Sequence, residues 1–216
     1  MSKIVFIGKN GAGKGELFKR YRRKYGDNFE QLAVSGLLDK VKETDPELGA
    51  KIADIQKRGD LVPDSIVIPL VGAKFEECDK TGVNLVSDGF PRTIGQVTAM
   101  LEAGYKPDCV IEVDADDEVI IKRMSGRRVC SHCKTTFNVV GDAAPKKPGI
   151  CDFCGHELIT RADDNEETVI KRLAGYKKDT YPCIDVFRKA GVTIHTIVST
   201  DDGAQEKFDE ILNSYI

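Results

Sequence analysis

The residues best placed to do chemistry come first in the chain. Gly8-Lys9-Asn10-Gly11-Ala12-Gly13-Lys14-Gly15 follows the apolar run Ile4-Val5-Phe6-Ile7 and precedes the helix formers Glu16-Leu17-Phe18-Lys19-Arg20-Tyr21. The spacing Gly8-x4-Gly13-Lys14 is that of a loop that wraps phosphate. Such a loop needs glycine, because only backbone without Cβ atoms can curl its N–H groups around phosphate oxygens. The helix that follows adds unpaired N–H donors and a positive dipole end. Lys14 adds a point charge on a mobile stem. An ordinary glycine-rich turn can share this spacing, but here strand and helix flank it in the required order. The stretch reads as a nucleotide-phosphate site.

A second constellation, Asp88-Gly89-Phe90-Pro91-Arg92-Thr93, follows the apolar run Asn84–Ser87. An acid just past a buried strand can hold magnesium through its water shell. Arg92 offers a planar fork that matches a phosphate. Each residue also has a plainer reading, Asp88 as a turn former and Thr93 with Gln96 as a capping box. The Gln96 amide can cap that helix or read a base edge, and spacing does not choose.

Four of the seven cysteines form Cys130-x2-Cys133 and Cys151-x2-Cys154, 17 residues apart. That is the spacing of a four-thiolate zinc site, whose closed shell leaves no room for water and makes the metal structural. It would staple a lobe too small to build its own core. Iron or cobalt could take the same thiolates. Disulfides are the alternative, but no signal-peptide core precedes them. His132 and His156 are read as bystanders, and Cys78, Cys109 and Cys183 as isolated core or surface residues.

These groups must be held by a scaffold, and 216 residues suffice for one good core with small inserted lobes. The runs Ile4–Ile7, Asn84–Ser87, Cys109–Val113 and Thr193–Val198, with a weaker fifth at Phe29–Val34, alternate with helical segments. That alternation predicts an α/β fold with a five-stranded parallel sheet covered on both faces. Two regions interrupt it. Residues 35–63 hold two short helices, and residues 127–161 look loop-like. The core is therefore expected over 1–34, 64–125 and 165–216, with lobes at 35–63 and 126–164. Hydrophobic residues at 41% and charged residues at 31% are ordinary for a globular protein. A net charge of −3 gives no overall attraction to nucleic acid or to an anionic membrane, so any anion site must be local. The basic run Lys19-Arg20-x-Arg22-Arg23-Lys24 reads as a solvated helix face. No apolar run approaches the roughly 18 residues of a membrane span, and a cytoplasmic monomer is expected.

Taken in order, the glycine loop, Ser35-Gly36, Leu61-Val62-Pro63-Asp64, Asp88 to Thr93, Gly126-Arg127-Arg128 and Arg161-Ala162-Asp163-Asp164-Asn165-Glu166-Glu167-Thr168 resemble adenylate kinases over essentially the whole chain. The cysteine segment resembles the extended lid of their bacterial type. The resemblance implies a P-loop NTPase-like three-layer fold and reversible phosphoryl transfer between Mg-ATP and AMP. It implies that Gly11, Ala12, Gly13, Lys14 and Gly15 hold the ATP phosphates, with Arg123 against the adenine and Arg127 on the phosphates. Ser35, Gly36, Lys40, Val62, Gly89 and Arg92 would face AMP, with Gln96 reading its base. Arg161 and Arg172 would reach the transferring phosphoryl, Asp88 would orient hydrated magnesium, and Asp163 would order the arginines at a lid hinge. Gly126 and Pro148 are the candidate hinges.

Phosphoryl transfer needs no dedicated base, since its loose transition state is stabilised by positioning and cations. A cleft that closes also excludes water, the competing acceptor. Arg161 and Arg172 have an alternative as partners of Asp163, Asp164 and Glu166. The chain departs from the family pattern at Glu16 (usually threonine), Lys40 (an arginine), Leu37 (an acid) and Asn10 (usually proline). Glu16 is expected to turn from the nucleotide. Lys40 cannot make a bidentate pair, so a raised KM for AMP is expected. The rival readings are a kinase of another nucleoside monophosphate and a nucleotide-sensing protein with weak turnover.

Overall fold

The structure is a computed structural model that describes residues 1–139, 143–161 and 164–216. Its centre is β1 (Lys3–Ile7), and the alternation of side chains along that strand builds both faces of the protein. Ile4 and Phe6 point into one apolar core, Val5 and Ile7 into the other. On either side lie β2 (Glu30–Ala33), β3 (Leu85–Asp88), β4 (Cys109–Asp114) and a last strand, Thr193–Val198. All run parallel, in the order β2-β3-β1-β4 and then the last strand. All five expected strands are present.

Helices cover both faces, as a parallel sheet requires. On the Phe6 side, α1 (Lys14–Tyr25) brings Leu17, Phe18 and Tyr21 into the core. The C-terminal helix Ala204–Asn213 brings Phe208, whose ring centroid lies 5.4 Å from that of Phe6. Truncating such a ring costs about 3–5 kcal/mol. The Val5 side is covered by α2 (Val34–Thr44), α3 (Pro46–Lys57), α4 (Asp64–Thr81) and α5 (Ile94–Glu102). Helix starts are chemically marked. Asp45 accepts from the Leu48 N–H at 3.0 Å to open α3, and Thr93 accepts from the Gln96 N–H at 3.1 Å to open α5.

Residues 35–63 contain α2 and α3 and no strand, as expected. The segment 127–161 differs from its loop-like expectation. After α6 (Asp117–Ser125) it forms a three-stranded antiparallel sheet of β5 (Arg127–Cys130), β6 (Thr136–Asn138) and β7 (Leu158–Ile159). Strands of two to four residues are too short to imprint a two-residue period on the sequence. The expected hinge glycine also packs closely. A Cβ on Gly126 would lie 2.3 Å from Asn138 Oδ1, so a side chain there would push the Asn138 amide aside. Then follow α7 (Glu166–Gly175), a π-helical turn Tyr176–Thr180, α8 (Cys183–Lys189), the last strand (β8) and α9, the C-terminal helix already described. Among the described residues no helix is long and apolar enough to cross a membrane.

Candidate active site

The register of the sheet brings the two sequence motifs together. Phe6 pairs with Asp88, so the glycine loop leaving β1 and the Asp88 turn leaving β3 emerge side by side at the carboxyl edge. Ligands bind at that edge in open parallel sheets. The loop is anchored from below. Gly8, at φ 155°, tucks so close to β4 that a Cβ would lie 2.1 Å from the Val113 carbonyl oxygen. Lys9 donates to the Ala115 carbonyl at 3.0 Å and pairs with Asp114 and Asp117, each at 3.0 Å. Burial alone would lower the Lys9 pKa, but the two carboxylates outweigh it and raise it.

Lys14 folds back over the loop, donating to the carbonyls of Gly8 at 2.6 Å and Lys9 at 3.0 Å. Burial lowers its pKa; Asp88 opposes that shift and Arg92 adds to it. Arg92 is lowered in the same way, by burial first, with Asp88 supporting and Arg172 opposing its charge. Burial thus holds two cations below their ordinary pKa beside a single carboxylate, Asp88. Arg92 is aimed by its Nε, which donates to the Gly89 carbonyl at 2.9 Å, and by its own carbonyl, which accepts from Thr180 at 2.9 Å. Arg123 donates to Ser199 Oγ at 3.0 Å and to the Ala12 carbonyl at 3.4 Å.

These groups line one cleft of about 1430 Å³ that runs from α1 to the cysteine lobe. Gly11, Gly13, Lys14, Gly15, Ser35, Val62, Asp88, Gly89, Arg92, Gln96, Arg123, Arg127, Arg161 and Arg172 all line it. Ala12, within the loop, is fully buried. Gly36 and Lys40 lie exposed on α2 and are not part of the cleft wall. Asp163 lies outside the described residues. Among the described residues, twelve lysines and arginines face the cleft against four carboxylates, although the whole chain carries a net charge of −3. The positive field is local, as the composition required.

Several partners escaped sequence reasoning. Asp164, its side chain fully buried, grips Arg127 by both carboxylate oxygens, with Arg127 Nε at 2.7 Å. Lys171 on α7 pairs with Asp60 at 2.7 Å and donates to the Arg58 carbonyl at 2.8 Å, tying α7 to the end of α3. Arg172 donates to the Gln56 carbonyl at 3.3 Å beside it. Ser199 follows the fifth core strand and carries no motif of its own. The only available signal was position, since residues just past parallel strands face the ligand edge. Glu16 lines the cleft and pairs with Arg20 one turn along α1 at 3.1 Å.

The four expected metal ligands converge. Cys130, Cys133, Cys151 and Cys154 place their sulfurs within 4.8 Å of one another, and all are free thiols. Contacts of 3.3 Å between Cys130 and Cys154 and 3.6 Å between Cys133 and Cys151 join the two knuckles. Four sulfurs about 2.3 Å from a zinc ion would stand roughly 3.8 Å apart, so the donor set fits a tetrahedral metal. The Thr135 hydroxyl, 3.2 Å away, helps pull the Cys133 thiol down to about 6, toward the thiolate a metal takes. His132 and His156 stack on each other at 4.3 Å, outside the thiol cluster. Cys78, Cys109 and Cys183 are all buried.

Comparison with known proteins agrees with this geometry. The family model described as adenylate kinase matches residues 6–192. The chain belongs to the adenylate kinase family. An adenylate kinase of Archaeoglobus fulgidus is 37% identical, over 97% of both chains. One from Lachnoclostridium phytofermentans is 39% identical over 97% of this chain and 96% of its own. One from Caldicellulosiruptor bescii is 39% identical over 89% of each. As an adenylate kinase family member the chain is a nucleoside monophosphate phosphotransferase, built on a P-loop NTPase-like fold.

Proposed function

We propose that this enzyme transfers the terminal phosphoryl group of Mg-ATP to AMP, reversibly, giving two ADP. The cationic lining of this one continuous cleft carries the reading, because it can neutralise two phosphate chains meeting end to end. Gly11, Ala12, Gly13, Lys14 and Gly15 hold the ATP phosphates, joined by Arg123 and Arg127. Ser35, Val62, Gly89, Arg92 and Gln96 receive AMP, and Gly36 and Lys40 join them once α2 moves toward the cleft. Lys14, Arg92, Arg127, Arg161 and Arg172 surround the transferring group, where they spread its charge and exclude water. Asp88 would hold magnesium through its water shell, and the ion would supply positive charge to the phosphates.

Residues 1–34, 64–125 and 165–216 act as the core, 35–63 as the AMP lobe and 126–164 as a lid. A zinc ion on the four cysteines would hold the lid together and take no part in chemistry. Free thiols suit a reducing compartment such as the cytoplasm, and a cleft lined by one chain suits a monomer. A coupled assay with ATP plus AMP, CMP, UMP or GMP tests the assignment. AMP should be the preferred acceptor and a two-headed ATP–AMP mimic should bind far more tightly than ATP. Preference for another monophosphate, or binding without turnover, overturns it.

A further inference from the structure

The Gln96 side chain is held at both ends. Its Oε1 accepts from the Arg92 backbone N–H at 2.7 Å, and its Nε2 donates to Asp64 Oδ1 at 2.5 Å. The residue is buried, and Thr93 completes the network by donating to the other Asp64 oxygen at 3.2 Å. An amide is nearly symmetric in shape, so only its partners decide which end is oxygen and which nitrogen. A carboxylate can only accept and a backbone N–H can only donate. Turning the amide over would set oxygen against carboxylate and NH2 against N–H, losing both bonds.

We infer that Asp64, outside the cleft wall, is a specificity-determining positioning residue that locks the Gln96 amide against flipping and so fixes which purine the acceptor site takes. This rests on the reading of Gln96 as the base-facing residue. With one N–H and one carbonyl lone pair committed to the protein, the amide has one donor and one acceptor left, in a set order. Adenine presents an amino donor beside a ring-nitrogen acceptor. A 6-oxopurine presents the reverse, a carbonyl acceptor beside a ring N–H donor. A freely turning amide serves both edges, whereas a locked one serves a single order.

Inosine monophosphate is the sharpest probe, because it differs from AMP only in that donor–acceptor order. Steady-state kinetics on the metal-replete full chain should give the unsubstituted enzyme a strong AMP preference. Asp64→Ala and Asp64→Ser should each reduce the AMP-to-IMP ratio of kcat/KM by about tenfold, the worth of one hydrogen bond. The KM for ATP should not move, whereas a merely structural loss would lower both acceptors alike. An unchanged ratio in either folded variant overturns the lock. In the unsubstituted protein, one Gln96 side-chain amide proton should be protected from solvent exchange. Rapid exchange of both overturns the lock even if neither variant folds. If the unsubstituted enzyme instead ignores AMP, the assignment of the acceptor fails.

Discussion

The glycine loop and the cysteine lobe both reach the same cleft, yet they are held there by different means. The loop hangs from β1, the central strand of a five-stranded sheet, between two large apolar cores. Its backbone lies against Val113, and Lys9 pins it to Asp114 and Asp117. Among the described residues the lobe's buried apolar cluster is Cys130, Phe137, Cys151 and Leu158, and half of that cluster is thiol. One region is positioned by burial, whereas the other carries the four-thiol donor set of a metal site. A lobe with so small a core needs a further staple, and four converging thiols are a set that a metal could use for it.

The sharpest way to break this contrast is Lys14→Ala. It should lower kcat/KM by about 10³-fold, as loss of a charge aimed at the transferring group does, with Tm nearly unchanged. A small kinetic effect would remove Lys14 from the chemistry. Metal chelation comes next and should cost about 10²-fold through lost positioning of Arg127 and Arg161. Proteolysis should then cut only within 127–161, while amide protection of the five-stranded sheet persists. Global unfolding on chelation would erase the distinction between the two regions.

Asp164→Ala probes the seam between them. Arg127 retains partial access to water, so the stability loss should fall below the about 3–5 kcal/mol of a fully buried broken pair. Urea unfolding measures it, and no change would mean that the pair is ornamental. A smaller effect is expected at Arg20→Ala, which strips Glu16 of its partner inside a phosphate site. It should raise the KM for ATP by about fivefold, since an unpaired charge in a wet site is worth about 1 kcal/mol. In a Glu16→Thr background the same change should do nothing, and an effect there would sink the pairing. Smallest is Lys40→Arg. Exposed on α2, residue 40 reaches the cleft only if that helix moves, so a modest fall in the KM for AMP would report such motion. An unchanged KM removes it from the site.

Much of the design is local and was legible in the residues. Gly8-x4-Gly13-Lys14 could be read because one short loop wraps one phosphate, and the four cysteines because each knuckle bites within four positions. The inner strands could be read because strands buried on both faces are largely apolar, whereas the edge strands Glu30–Ala33 and Thr193–Val198 carry polar residues and are partly exposed. The three small strands of the lobe could not, since two to four residues leave no periodicity. Long-range partners were equally silent: nothing near Asp164 says that it grips Arg127, 37 positions away. Nor does Asp64 announce that it orients Gln96, 32 positions on. The sequence by itself determined which groups could bind phosphate and metal, because that chemistry is short-range. Only the tertiary structure decided which charge faces which, because pairing depends on distances that the chain closes only when it folds.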